Sequence, residues 1–256
     1  MYERPRLSED SLLVRVEDSP NLPDEAIEEK FVLWNETLQN CLSNIIIEDD
    51  LLDMVFSRIC AVDVAYKDLQ DRTISAACAV ITDDTGRELA YESVLRTSPR
   101  IPYISGHFSL RELPCVLEIL SKMNEFDLLL LDCNGRLHPR RFGMACHAGV
   151  CVSTPTIGVA KSLLCGMVLS SPFDLPLDGK RARCYPVSLD GEIIGAQLLI
   201  TKIGIGGSTR AFYISVGNLI SLSTAVMTIS HLIQGYDIIP LKLAHEKSLR
   251  ILQESE

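Results

Sequence analysis

DLLLLDCNGRLHPRRFG, residues 127–143, decides how the fold of this chain is read. Four consecutive leucines, Leu128 to Leu131, have the length and composition of a strand buried on both faces. Asp132 ends the run at a turn, Cys133-Asn134-Gly135, and Arg136, His138, Arg140 and Arg141 follow. A carboxylate at the mouth of a buried strand costs several kcal/mol if it lacks a partner. Two partners fit. One is a divalent metal ion, with the basic residues beyond the turn free to hold phosphate. The other is the turn itself, which an aspartate caps through its side chain.

The 256 residues and their 47% apolar content suffice for one large domain with a substantial core. No apolar run approaches the roughly 18 residues of a membrane span. The first residues, MYERPRLSED, have no signal-peptide core, so the expected location is the cytoplasm, or also the nucleus of a eukaryote. Nine cysteines are scattered through apolar runs without a C-x-x-C pair, which argues for reduced, packed thiols rather than a zinc ribbon or redox motif. A net charge of -10 disfavours non-specific nucleic-acid binding by the whole surface. It leaves room for a local basic site, and residues 136–141 are the candidate.

Residues 1–23 are polar, acidic and broken by Pro5, Pro20 and Pro23, and read as a loosely structured extension to one domain over 24–256. A helical pattern starts at Asp24 and runs through Ile27, Phe31, Trp34 and Leu38, with acids in its first turn. Ile45–Leu52 has no decisive period. Ile59–Tyr66, Thr73–Thr82 and Glu88–Arg96 are strand-like runs joined by turns, an antiparallel meander. Asp63 lies inside the first of them, either exposed on an edge or held by a partner.

Pro99–Gly106 is a proline-stiffened loop presenting Tyr103, which would either stack on a base or cover the core. Ser109–Asn124 reads as a helix. Its S-x-x-E start makes Glu112 a capping carboxylate, unless Pro114 shifts the start and frees Glu112 to face elsewhere. Met144–Val150 is a short helix and Thr156–Ala160 another buried strand, ending at Lys161, a snorkelling or a catalytic lysine. Pro172–Arg183 reads as a loop. Glu192–Lys202 and Ala211–Val216 form a hairpin across the glycine-rich 204–207, and Ser221–Gln234 and Leu241–Gln253 are helices.

Three acids thus fall in a first strand, at the start of a helix after the third strand, and at the end of a fourth: Asp63, Glu112 and Asp132. Magnesium takes one or two protein carboxylates and leaves positions for water and phosphate. Bound there, it activates water for phosphodiester hydrolysis. The segments VDVAY (62–66), PYISGHFSLRE (102–112), LLDCNGRLHPRRFG (130–143), TIGVAKSLLCG (156–166) and ISVGNLISL (214–222) resemble the endonuclease V family, the deoxyinosine 3′ endonucleases, in family order.

The resemblance implies an RNase H-like α/β fold, in which a mixed sheet made of an antiparallel meander followed by parallel strands is flanked by helices. It implies a magnesium site on Asp63, Glu112 and Asp132, with manganese able to substitute, and Lys161 beside the scissile phosphate. His138 and Arg140 fall in the segment that supports the active-site structure. Pro102, Tyr103, Ile104 and Ser105 match a strand-separating wedge whose Tyr103 stacks where the flipped base was. Gly106, Phe108, Gly143, Met144 and Leu164 match the hypoxanthine pocket. The implied reaction, by a monomer, is hydrolysis of the second phosphodiester bond 3′ to inosine in single- or double-stranded DNA or RNA, leaving 3′-hydroxyl and 5′-phosphate ends.

Three residues depart from the family pattern. Ser105 replaces a wedge proline. Cys133 replaces the glycine after the metal-binding aspartate and narrows or reshapes the base pocket, which leaves open a nuclease of shifted base specificity. Asn218 stands where the family commonly has histidine. The match turns it towards the metal, and since an amide orients water but carries no proton, a catalytically weak inosine-binding relative stays open too.

Overall fold

The four leucines form a strand with every residue buried, and their alternation divides the core between the two faces of a sheet. The structure is a computed structural model and describes residues 24–50, 55–99, 104–177, 180–202 and 209–255. Pro102, Tyr103, the extension 1–23 and the glycine-rich 204–207 therefore lie outside the described residues.

In chain order the elements are helix α1 (Asp24–Leu42), strands β1 (Ile59–Asp68), β2 (Arg72–Thr82) and β3 (Glu88–Pro99), helix α2 (Phe108–Lys122), strand β4 (Leu128–Leu131), helix α3 (Met144–Val152) and strand β5 (Thr156–Ala160). Strands β6 (Met167–Val168), β7 (Phe173–Leu177), β8 (Lys180–Leu189), β9 (Glu192–Lys202) and β10 (Thr209–Asn218) follow. Helix α4 (Leu222–His231), the short pair β11 (Ile233–Gln234) and β12 (Asp237–Ile238), and helix α5 (Ile239–Glu254) complete the chain.

The main sheet runs β3-β2-β1-β4-β5-β10-β9-β8-β6, with β7 beside β8. Strands β1 to β3 are the antiparallel meander, β4 pairs parallel with β1 and β5, and β10 returns antiparallel on β5. This is the mixed α/β sheet that the sequence implies. Leu128 and Leu130 join a core with Ile229, Leu241 and Ala244 of α4 and α5. Leu129 and Leu131 join Val116, Ile119 and Ala148 of α2 and α3 on the opposite face. Period-two alternation in one strand thereby fixes which helices cover which side.

Several elements differ from expectation, among them helix α4, which stops at His231 while Ile233–Gln234, expected as its end, forms β11. Pro172–Arg183 is not a loop but the β7–β8 hairpin, in which Leu175 opposes Ala182 and both are buried, while the neighbouring pair Asp174 and Arg183 is exposed. Helix α2 starts earlier than either reading of its N-terminus, with His107 as cap position and no side-chain cap, so Pro114 lies inside it. Helix α1 runs on to Leu42. All nine cysteines are unpaired thiols, six of them buried.

Candidate active site

Register brings the first two acids together. Val62 of β1 pairs with Leu131 of β4, so Asp63, in the middle of β1, and Asp132, just past the carboxyl end of β4, are the next residues on adjacent parallel strands. Helix α2 lies across this end of the sheet and lowers Glu112, its fifth residue, onto them. Asp63, Glu112 and Asp132 line one cavity of about 190 Å³ together with Tyr66, Phe108 and Met144. Glu112 is 6% exposed and makes no capping box. Burial, reinforced by the negative charges of Asp63 and Asp132, pushes its pKa up to about 8 against a lowering hydrogen bond from Tyr66.

An acid raised this far by burial and by two neighbouring acids is a fit for a divalent cation, whose charge would reverse the penalty. Among the described residues, no three ligand-type side chains already converge at metal-ligating distance. Like charges instead take separate partners. Lys161 Nζ donates to Asp132 Oδ2 at 2.5 Å, and Ser248 Oγ donates to Asp63 Oδ2. His245 Nδ1 lies 3.3 Å from the same oxygen.

A second cavity, of about 410 Å³, shares Phe108, Asp132 and Met144 with the first and extends to Gly106, Cys133, His138, Gly143, Lys161 and Leu164. Gly143 has to be glycine because an added Cβ would sit 2.3 Å from the Asn134 carbonyl oxygen. The turn after β4 is thereby closed against the start of α3. Cys133 is buried in the wall, and burial raises its thiol pKa well above the ordinary value, so it presents a neutral apolar group.

The endonuclease V family profile matches residues 40–246. Endonuclease V of Trichormus variabilis is 36% identical over 191 residues, covering 74% of this chain and 80% of that protein. The chain belongs to the endonuclease V family. Among solved structures, endonuclease V of Streptomyces avermitilis superposes with a TM-score of 0.72 at 28% identity, covering 87% of this chain and 93% of that one. Endonuclease V of Ciona intestinalis, solved with a 24mer DNA containing an inosine followed by a ribo-adenosine, gives 0.72 at 22% identity, over 90% and 100% of the two chains. At that identity the likeness bears on the fold. No helix among the described residues is long and apolar enough to cross a membrane.

Two expectations for this endonuclease V relative are corrected by the geometry. The arginines after β4 are not free for phosphate. Arg136 pairs with Glu48 and Glu192, Arg141 with Glu192 and Asp190, and Arg140 with Glu36. Arg140 therefore braces the protein. Asn218 does not turn towards the acids and lines neither cavity. Its Oδ1 accepts from Ile47 N at 3.1 Å and its Nδ2 donates to the Gly149 carbonyl at 3.4 Å, a buried tie between β10, α3 and the segment after α1. Nor does it cap α4, a task Ser221 performs through Thr224 N.

His138 has a fixed proton. Its Nδ1 accepts from Arg140 N at 3.2 Å, so Nε2 carries the hydrogen and donates to the Gly106 carbonyl at 3.1 Å. Burial first, then the nearby Arg140 charge, pull its pKa down to about 4, so it is a neutral positioning group. Ile104 accepts from His107 N at 2.9 Å, closing the turn that enters α2.

The sequence reading missed His245 and Ser248 of α5, which hold Asp63, and Tyr66, whose hydroxyl serves Glu112. Period two puts Tyr66, three residues beyond Asp63, on the opposite face of β1, so strand alternation gave no signal for it. For α5 there was none, because the contacts span 182 and 185 residues.

Proposed function

We propose that this protein is a magnesium-dependent endonuclease that hydrolyses the second phosphodiester bond 3′ to inosine, in DNA or RNA, leaving 3′-hydroxyl and 5′-phosphate ends. One observation carries the reading: three acids line a cavity that shares Asp132, Phe108 and Met144 with a larger, partly apolar one. Phosphate chemistry and base recognition would thus be set side by side, with Asp132 on the boundary. The inosine in the DNA bound by the Ciona intestinalis relative supports the choice of base.

Asp63, Glu112 and Asp132 would hold magnesium, or manganese in its place, and His245 stands beside Asp63 to complete the set. The ion supplies the activation of water and the stabilisation of the leaving oxygen. Lys161 would release Asp132 and place its ammonium against the phosphate, neutralising charge that builds up there. Flat apolar contact from Phe108, Met144 and Leu164 would hold the extruded hypoxanthine, and the wall at Cys133 limits its size. Tyr103, by its position in the wedge segment, would stack in the vacated place.

The test is to incubate the protein with magnesium and DNA or RNA oligonucleotides, single- and double-stranded, that carry one inosine, and to map the ends. A single cut one nucleotide beyond the inosine's 3′ neighbouring bond supports the reading. Cutting that ignores the inosine, or no cutting with either ion, removes it.

A further inference from the structure

Helix α1 is far in sequence from every acid of the site, yet its inner flank reaches the base cavity. Gly106, directly after the wedge segment, has φ +79°, a left-handed conformation suited to glycine. Three donors converge on its carbonyl oxygen: Gln39 Nε2 at 3.3 Å, His138 Nε2 at 3.1 Å and Arg140 Nη2 at 2.8 Å. Gln39 is 2% exposed and spends its other end too, since its Oε1 accepts from Arg140 Nε at 2.5 Å. Arg140 is further anchored to α1 by Glu36 Oε1 at 3.0 Å.

The neighbouring histidine is held the same way. Arg140 Nη2 lies 3.2 Å from His107 Nε2, and the Asn35 amide 3.0 Å from Nδ1. The amide atom facing Nδ1 is Asn35 Nδ2, and Glu36 Oε1 lies 3.5 Å from Nε2. Gln39, Gly106 and His138 all line the larger cavity. The wall is a built polar junction between α1, the end of the wedge and the turn after β4, and the reaction as derived above makes no use of it.

We propose that Gln39 is a positioning residue for base recognition: from α1 it sets the Gly106 carbonyl, and with it the junction between wedge and base cavity. The inference rests on the reading that this cavity takes the inosine base. A positioning residue of this kind acts on how well the extruded base fits, and leaves the acids untouched.

Two full-length variants test it, Gln39→Met and Gln39→Glu. Methionine keeps length and burial but loses both polar contacts. Glutamate keeps the oxygen that accepts from Arg140 but cannot donate to Gly106. Steady-state cleavage of an inosine oligonucleotide is measured beside the melting temperature. Both variants should raise KM about tenfold, the equivalent of one lost hydrogen bond, while kcat moves far less. Glu should also keep the wild-type melting temperature, and it decides the matter if Met does not fold. A Glu variant with wild-type KM overturns the inference, as does a loss that only follows melting temperature and active fraction. If the wild type itself ignores inosine, the reading of the cavity falls and this inference with it; if the wild type cuts and KM is unmoved, this inference alone falls.

Discussion

Glu112→Gln should make the metal-free protein more stable at neutral pH while destroying its activity. The folded state holds the Glu112 proton up to a pKa of about 8, whereas the unfolded chain releases it near the ordinary 4.5. Between those values the folded state binds more protons, so stability falls as pH rises through the window. One pKa unit corresponds to about 1.4 kcal/mol, which gives a penalty on the order of 3 kcal/mol at pH 7. Glutamine keeps the shape, still accepts from Tyr66, and has nothing to ionise. Urea unfolding in chelator, from pH 5 to 8.5, should show the two proteins converging at the acid end and the variant ahead by a growing margin above it. Magnesium should close the gap by stabilising the wild type alone. Parallel curves at every pH would refute the reasoning, since a solvated carboxylate used only for structure has no such dependence.

The buried histidines act in the opposite direction. His138 and His147 have folded pKa values lowered to about 4 by burial, so their contribution is complete above the unfolded value of 6.5 and is lost as pH falls towards 4. Each should cost about 2 kcal/mol by pH 5, read most cleanly in the Glu112→Gln background, where a flat profile would contradict it. Asn218→His should lower stability by about 1–3 kcal/mol through the lost ties to Ile47 and Gly149, with no gain in single-turnover rate. A faster rate with an inflection near the histidine pKa would put that residue back at the chemistry. Cys133→Gly enlarges the wall of the base cavity, so preference for inosine over guanosine should drop about tenfold. Equal selectivity would mean the cavity does not feel this side chain.

The strand Leu128–Leu131 and the acid at its end were legible because composition alone marks a strand buried on both faces, and the meander was legible from its turns. Asp63 and Glu112 each had an ordinary explanation, and only the set of three made them chemistry. The β7–β8 hairpin was hidden because proline and charge disguise strands whose stability comes from cross-strand neighbours. The arginines looked available because their acid partners, Glu36, Glu48 and Glu192, lie far along the chain. The same distance concealed the part α1 plays: Gln39 meets Arg140 across 101 residues. Asn218 misled for a different reason, since a sequence match fixes a position along the strand but not the direction its side chain takes at a bulge in the β5–β10 ladder.

The central claim is that Asp63, Glu112 and Asp132 form one divalent-metal site, and calorimetric titration of Mn²⁺ into the nucleic-acid-free protein tests it most directly. The wild type should bind at the site, and Asp63→Asn, Glu112→Gln and Asp132→Asn should each weaken that binding severely while circular dichroism shows the fold intact. Any one of the three binding Mn²⁺ as tightly as the wild type would contradict the account.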